Sequence, residues 1–559
     1  MFLFTLINVF LNIILRNMKK GFLKTFLLLS LSVFTLTGCD FLNRILNPET
    51  IFDGGYIYDD PDYHPDENTD EAFFAECTYK DYVNNNYYNK SSTPLSGSPK
   101  LLLIPIWFND SNIFIPIDKK EDLRNDMNKA YFGSEVDTGW HSVSSFYKNE
   151  SNNKLILTGK TSNWYECNKS YTYYAEESSG RNRTLTLANE VVNWYFSNNP
   201  ADLKTDYDLD GDGFLDGVIL IYAAPNWNSL CLKDKSSDYE SYRNLWAYCF
   251  WASNTSNRAN PALSVYFWAS YDFMYDYEGS NGIGEYGFGG DGYFVDAHTY
   301  IHETGHMLGL EDYYDYGDDK YCPAGGFSME DETVGGHDPY SVFSLGWASA
   351  YVPYGTTTLT ITPFQKNHEI IILSPSFNNF KSPFDEYLIL EFYDASNLNE
   401  KDAHKKYMGV APTGAQQPGI RLWHVDARLQ YGSYDSDFTT SRNITTNPKY
   451  TVYGGGVLLM NSNTYDIDNA HATKVKEENA NLYNLLQLIH ADNPNDFLHT
   501  NLRNLSIFTE GKTFNMQDYK KQFVKNGLLN SGKQLGFSFT VKKCTSEYVT
   551  VDIIKDVVL

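Results

Sequence analysis

At 559 residues, with 42% hydrophobic and 16% aromatic side chains, the chain is too long for one ordinary core and carries the material for several. Its 44 basic against 70 acidic side chains leave a formal charge of −26 at pH 7. That sign repels nucleic acid and anionic lipid headgroups and excludes both as expected partners, while acidic loops suit calcium.

From Met18 the chain reads MKKGFLKTFLLLSLSVFTLTGCD. Basic Lys19, Lys20 and Lys24 precede an apolar stretch to Leu36, the pattern of an export signal rather than a fold element, with Met18 its expected start. The ending Leu36-Thr37-Gly38-Cys39 resembles the bacterial lipoprotein box. That resemblance implies lipidation of Cys39, membrane contact through the lipid alone, and residence at the cell surface or the periplasmic face of a bacterial membrane. No other run approaches the ~20 apolar residues of a membrane-spanning helix. The remaining cysteines, Cys77, Cys167, Cys231, Cys249, Cys322 and Cys544, form no CxxC pair of a structural zinc site. Export permits disulfides, and Cys231 and Cys249, the nearest pair, are singled out for a bridge.

Residues 40–98 are rich in Asp, Asn, Tyr and Pro without a sustained period and are expected to form an acidic, polar tether. LLLIPIWF (101–108) predicts a buried strand, and VSSFYKNESNNKLILTGKTSNWY (143–165) a helix followed by hairpin-like strands. TLTLANEVVNWYFSN (184–198) is helically spaced, VILIYAAP (218–225) is a second buried strand, and VDAHTYIHETGHMLGL (295–310) predicts a helix closed by Gly309. Alternating strands and helices make 99–350 the expected catalytic domain. Beyond Trp347, runs such as EYLILEFYDA, GIRLWHVDARL and LGFSFTVKK, separated by turn residues, predict antiparallel, sandwich-like β modules over 351–559.

The residues richest in chemistry are His302-Glu303-Thr304-Gly305-His306. Two histidines four apart share one face of a helix and can grip one metal ion, and zinc suits imidazole nitrogen. Glu303, beside the first ligand, is placed to take a proton from a metal-activated water. Gly309 allows the positive-φ turn that ends the helix, after which Asp312 can swing back as third ligand. Asp315 is a rival for that place.

This stretch is similar to the immune inhibitor A-type metallopeptidases, relatives of the metzincins. HETGHMLGLEDYYD (302–315) follows that family's helix-turn string, with Glu311 where the family usually carries Pro. GGFSMEDETVGGHDPYSVFSLGW (325–347) resembles its methionine turn and closing Leu-Gly-Trp. LLLIPIWFND, DLDGDGFLDGVILIYA, FDEYLILEFYDA, PGIRLWHVDARL and LLQLIHADN occur in the family's order, so the likeness covers about residues 99–540. It implies an α+β zincin-like catalytic domain followed by antiparallel all-β modules, and a zinc metalloendopeptidase acting on protein or peptide substrates. A monomer is expected. His302, His306 and Asp312 would bind one zinc, Glu303 would be the general base and acid, and Met329 would lie under the metal. Tyr340 and His337, just past the methionine turn, are candidate donors to the oxyanion.

Asp208-x-Asp210-x-Asp212-Gly213-Phe214-x-Asp216 repeats the first nine positions of an EF-hand loop, the Phe214 carbonyl standing at the seventh. Ile219 replaces the closing Glu, so the expectation is a structural calcium loop rather than an EF-hand. A competing function is a catalytically inactive surface lipoprotein that binds glycan or protein on a peptidase-like fold. A different zinc hydrolase, such as a deacetylase, is disfavoured by the Asp ligand and the methionine loop.

Overall fold

The computed structural model describes residues 69, 72–86, 90–234, 242–252, 255–275, 295–315, 323–331, 333–378, 381–404, 414–431, 443–449, 456–463, 483–492 and 503–556. All belong to one unit, His64–Leu559. The signal and Cys39 lie outside the described residues.

Two short elements come first, β1 (Phe73–Phe74) and α1 (Tyr79–Asn86). On α1, Tyr79, Tyr82 and Val83 follow an i, i+3, i+4 spacing and are buried. The expectation of a tether running through 40–98 is therefore corrected: the described residues from Phe73 onward are part of the folded body. Three buried side chains on one helical stripe give it an apolar face that water disfavours.

The run at 101–108 forms β2 (Lys100–Trp107), which is followed by α2 (Lys120–Phe132), α3 (Val143–Glu150), β3 (Thr158–Thr161), β4 (Tyr165–Glu166) and α4 (Glu177–Asn198). Next come β5 (Val218–Tyr222), β6 (Tyr248–Trp251), β7 (Val265–Ser270), α5 (His298–Leu308) and α6 (Pro339–Ser344). The sheet order is β3-β2-β5-β7-β6, with β4 also on β2. Only β6 runs antiparallel, along β7. The expected hairpin after α3 is absent. β3 and β4 both run parallel to β2, one toward each end, because the long edge of β2 offers pairing sites to two fragments travelling the same way.

The central strands are buried on both faces, and successive side chains enter opposite cores. Leu101, Leu103, Ile219 and Ile221 share a core with residues of α2, α3 and α5, whereas Leu102, Ile104, Val218 and Leu220 pack with Leu187, Val191 and Tyr195 of α4. Covering both faces is what a largely parallel sheet requires.

The second half contributes β8 (Ser349–Tyr351), β9 (Thr357–Ile361), β10 (Glu369–Leu373), β11 (Glu386–Tyr393) and β12 (Gly419–Asp426). It continues with β13 (Leu429–Tyr431), β14 (Asn443–Thr445), β15 (Val457–Leu459), β16 (Leu486–Ile489), β17 (Ile507–Phe508), β18 (Thr513–Phe514), β19 (Phe537–Cys544) and β20 (Val549–Lys555). A seven-stranded sheet runs β1-β8-β10-β11-β12-β16, with β17 on β12. An antiparallel sheet runs β18-β19-β20-β9, and β13 pairs with both β14 and β15. Leu388, Leu390 and Phe508 of the large sheet pack with Phe539, Val541 and Val551 of the smaller one. The other face of the large sheet, including Ile389, Trp423 and Leu488, joins the core around α5. Pairing in the large sheet is antiparallel except between β8 and β10. The fold is thus mixed α/β, with several sheets and more strands than helices among the described residues, and 351–559 shares a core with the preceding half.

Candidate metal centre

Helix α5 forms where the spacing places it. Asp296 Oδ1 accepts the His298 N–H at 2.9 Å near its start, and Gly309, at φ 109°, ends it. A Cβ at Gly309 would lie 3.2 Å from the Tyr79 Cβ, so α1 packs directly against the turn that leads to Asp312. Tyr300, Ile301, Met307 and Leu308 face the core. His302 and His306 lie one turn apart, with 14% and 15% of their side chains accessible.

The two rings are oriented from behind. His302 Nδ1 lies 2.9 Å from the Met329 carbonyl and His306 Nδ1 lies 2.9 Å from the Leu310 carbonyl. A carbonyl can only accept, so each Nδ1 carries the hydrogen and each Nε2 presents its lone pair in the neutral ring. Asp312 Oδ1 meets them there, 3.1 Å from His302 Nε2 and 3.2 Å from His306 Nε2. A tetrahedral zinc at its usual bond lengths would hold neighbouring donors roughly 3.3 Å apart. Donor type, spacing and tautomer therefore all fit a zinc ion.

Glu303 is 6% exposed, and its Oε2 is buried without a hydrogen-bond partner. Burial pushes its carboxyl up to about 7, against the pull of His306 and His302. Burial also opposes charge on His302, but Glu330 and Asp312 outweigh it and raise that imidazole to about 9. Asp312 is held well below the usual carboxylate range: burial works against this, and His306 and His302 prevail. Negative charge converging on the two rings is what a cation site requires.

The structure brings His302, His306 and Asp312 together, with Glu330 in the same group, and leaves Asp315 out of it. Met329 is fully buried, and its carbonyl is the acceptor behind His302. The two candidate oxyanion donors are corrected. Tyr340 is fully buried and its hydroxyl accepts from Tyr79 at 3.0 Å, while His337, 1% exposed, turns its Nε2 to Glu330 Oε1 at 2.9 Å. Such enclosed groups cannot face a substrate.

Two residues that sequence reasoning missed stand close to the candidate ligands. Tyr314 stacks on His302, with centroids 6.2 Å apart and planes 27° apart, and its hydroxyl donates to Asp312. Glu330 lies behind both histidines. The place of Tyr314, two residues past Asp312, was a usable signal; Glu330 carried none, since its approach is set by tertiary packing.

At the acidic loop, Asp208, Asp210 and Asp212 converge, but Lys80 from α1 pairs with Asp210 and lies 3.6 Å from Asp212. Asp216 departs from its expected place as a ligand. Its two carboxylate oxygens accept the backbone N–H groups of Leu209 at 2.9 Å and Lys100 at 3.2 Å, and burial raises it to about 7. Phe214 forms a backbone bridge to Ala262, and its N–H donates to Asp212 Oδ1 at 2.9 Å. The suggested Cys231–Cys249 bridge is also corrected: Cys249 is a thiol whose Sγ donates to the Glu303 carbonyl at 2.9 Å.

A scan against protein-family models gave no match for this chain, and a search of curated proteins gave none either. Among the described residues no helix is long and apolar enough to cross a membrane.

Proposed function

We propose that this chain is a zinc-dependent metalloendopeptidase with a zincin-like catalytic half, in which His302, His306 and Asp312 hold one zinc ion and Glu303 is the general base and acid. One observation carries the reading. Two Nε2 atoms each lie within 3.2 Å of one Asp312 carboxylate oxygen, and the buried Glu303, whose Oε2 has no hydrogen-bond partner, interacts electrostatically with all three side chains.

A zinc ion bound there would polarise a peptide carbonyl and lower the pKa of water to about 7. The chain's own residues supply the rest. Glu303 accepts the water's proton and returns it to the leaving amine. The Met329 and Leu310 carbonyls keep both imidazoles in the ligating tautomer, and Tyr314 holds Asp312 in place.

The likeness of 302–315 and 325–347 to immune inhibitor A-type metallopeptidases supports a peptide bond as the bond cleaved. Export and a lipid on Cys39 would put the activity on the outer side of a bacterial membrane, and calcium at the 208–216 loop would be structural.

The test uses purified protein. About one zinc per chain and cleavage of casein or gelatin are expected, with Glu303→Ala inactive yet zinc-loaded. Saturable glycan binding that is identical in wild type and Glu303→Ala, without proteolysis, would favour the inactive binding lipoprotein instead.

A further inference from the structure

Against the face of α5 that carries the imidazoles, on their Nδ1 side away from Asp312, lies a carboxylate for which the mechanism above has no use. Glu330 is fully buried. Its Oε1 accepts from His337 Nε2 at 2.9 Å. Its Oε2 has no hydrogen-bond partner and sits 3.7 Å from His302 Nδ1 and 3.6 Å from His306 Nδ1. His337 is itself pinned from the far side: its backbone N–H donates to Glu150 Oε1 at 2.9 Å, and its Nδ1 lies 3.7 Å from the same oxygen. All three side chains are closed to solvent.

We propose that Glu330 is a positioning residue of the metal centre, a buried counter-charge shared by both histidine ligands and held in place by His337 and Glu150. The inference rests on the zinc reading above. Two neutral imidazoles and one carboxylate leave a divalent ion with a net charge of +1, which is costly in a buried site. A carboxylate behind both rings offsets that charge and makes both Nε2 atoms better donors. Glu330 is not itself a ligand of the same ion, because it faces the Nδ1 edges, whose hydrogens are committed to Met329 and Leu310.

Gly305 supplies independent support. A Cβ there would run into the Glu330 carboxylate, with the carboxyl carbon only 2.8 Å away. Gly in a helix interior is unfavourable relative to Ala; here it leaves room for the acid between the two histidines. His337, lifted to about 9 by Glu150 and Glu330 against its burial, supplies the positive charge that keeps two enclosed acids compatible.

The experiment is zinc affinity at fixed pH, by competition with a chromophoric chelator, on the full chain. Glu330→Gln keeps the shape and an acceptor for His337 but removes the charge. It is expected to weaken zinc roughly 10–100-fold with the fold intact by circular dichroism. A folded Glu330→Gln with wild-type affinity overturns the proposal. Should that variant fail to fold, Gly305→Ala decides, since it pushes the carboxylate aside while favouring the helix: a weakened affinity supports the proposal and an unchanged one overturns it. The underlying zinc reading fails in a different way, with wild type and His306→Ala equally unable to hold the ion.

Discussion

Tyr314 and His302 lie ring against ring, with centroids 6.2 Å apart and planes 27° apart, while the Tyr314 hydroxyl donates to Asp312. One side chain thus braces two of the three candidate ligands. Tyr314→Phe keeps the stacking and removes the hydrogen bond. It is expected to weaken zinc about tenfold and to lower turnover with it, measured by chelator competition and peptide hydrolysis. An unchanged variant would make Tyr314 mere packing.

Asp312 and Asp315 are separated by the same approach. Only Asp312 stands with the two Nε2 atoms. Asp312→Ala is expected to lose more affinity than the ~100-fold upper range for outer partners, and Asp315→Ala to keep stoichiometric zinc. The reverse result would reassign the third ligand.

The segment around α1 is expected to be indispensable. Tyr79 is fully buried, stands edge-on to Tyr340 and Phe384, and packs under Gly309. Tyr79→Ala should destabilise the fold by roughly 3–5 kcal/mol, the usual range for a large buried aromatic ring. Denaturant melts would show it. A small loss would return residues 72–86 to the role of a spacer.

Glu386 sets an expected acid limit. Its Oε1 lies 3.0 Å from His424 Nε2, its Oε2 accepts the Ser531 N–H at 2.8 Å, and Arg428 Nη2 is 3.8 Å away. Burial alone would raise its pKa, but Arg428 and His424 outweigh burial and hold it at about 2, below its ordinary 4.5. A depressed carboxylate stabilises fully above its unfolded value. That contribution is lost as pH falls from about 4.5 through 2, and is on the order of 3 kcal/mol. The stability gap between wild type and Glu386→Gln should therefore narrow between pH 5 and 2, and a constant gap would contradict the linkage.

Lys80 competes with any cation for Asp210 and Asp212. Lys80→Met is expected to raise the calcium-dependent increase in Tm, because binding to the folded state stabilises it by mass action. Asp210→Ala is expected to abolish it. A calcium shift that survives in Asp210→Ala would belong to another site.

What the sequence determined alone is what short-range geometry controls. The helix around His302 follows from apolar spacing, its end from Gly309, and the shared face of the two histidines from the four-residue interval. The buried strands at 101–108 and 218–225 were legible because both faces are covered and the runs are unbroken. Tertiary structure alone decided which groups meet from afar. Glu330 behind both rings, Lys80 on the acidic loop and α1 under Gly309 are contacts between distant parts of the chain, and no local period encodes them. The same holds for the enclosed places of His337 and Tyr340, and for a large sheet that buries one face against each half of the protein. Periodicity tells which side chains leave water, but not which neighbours they find once inside.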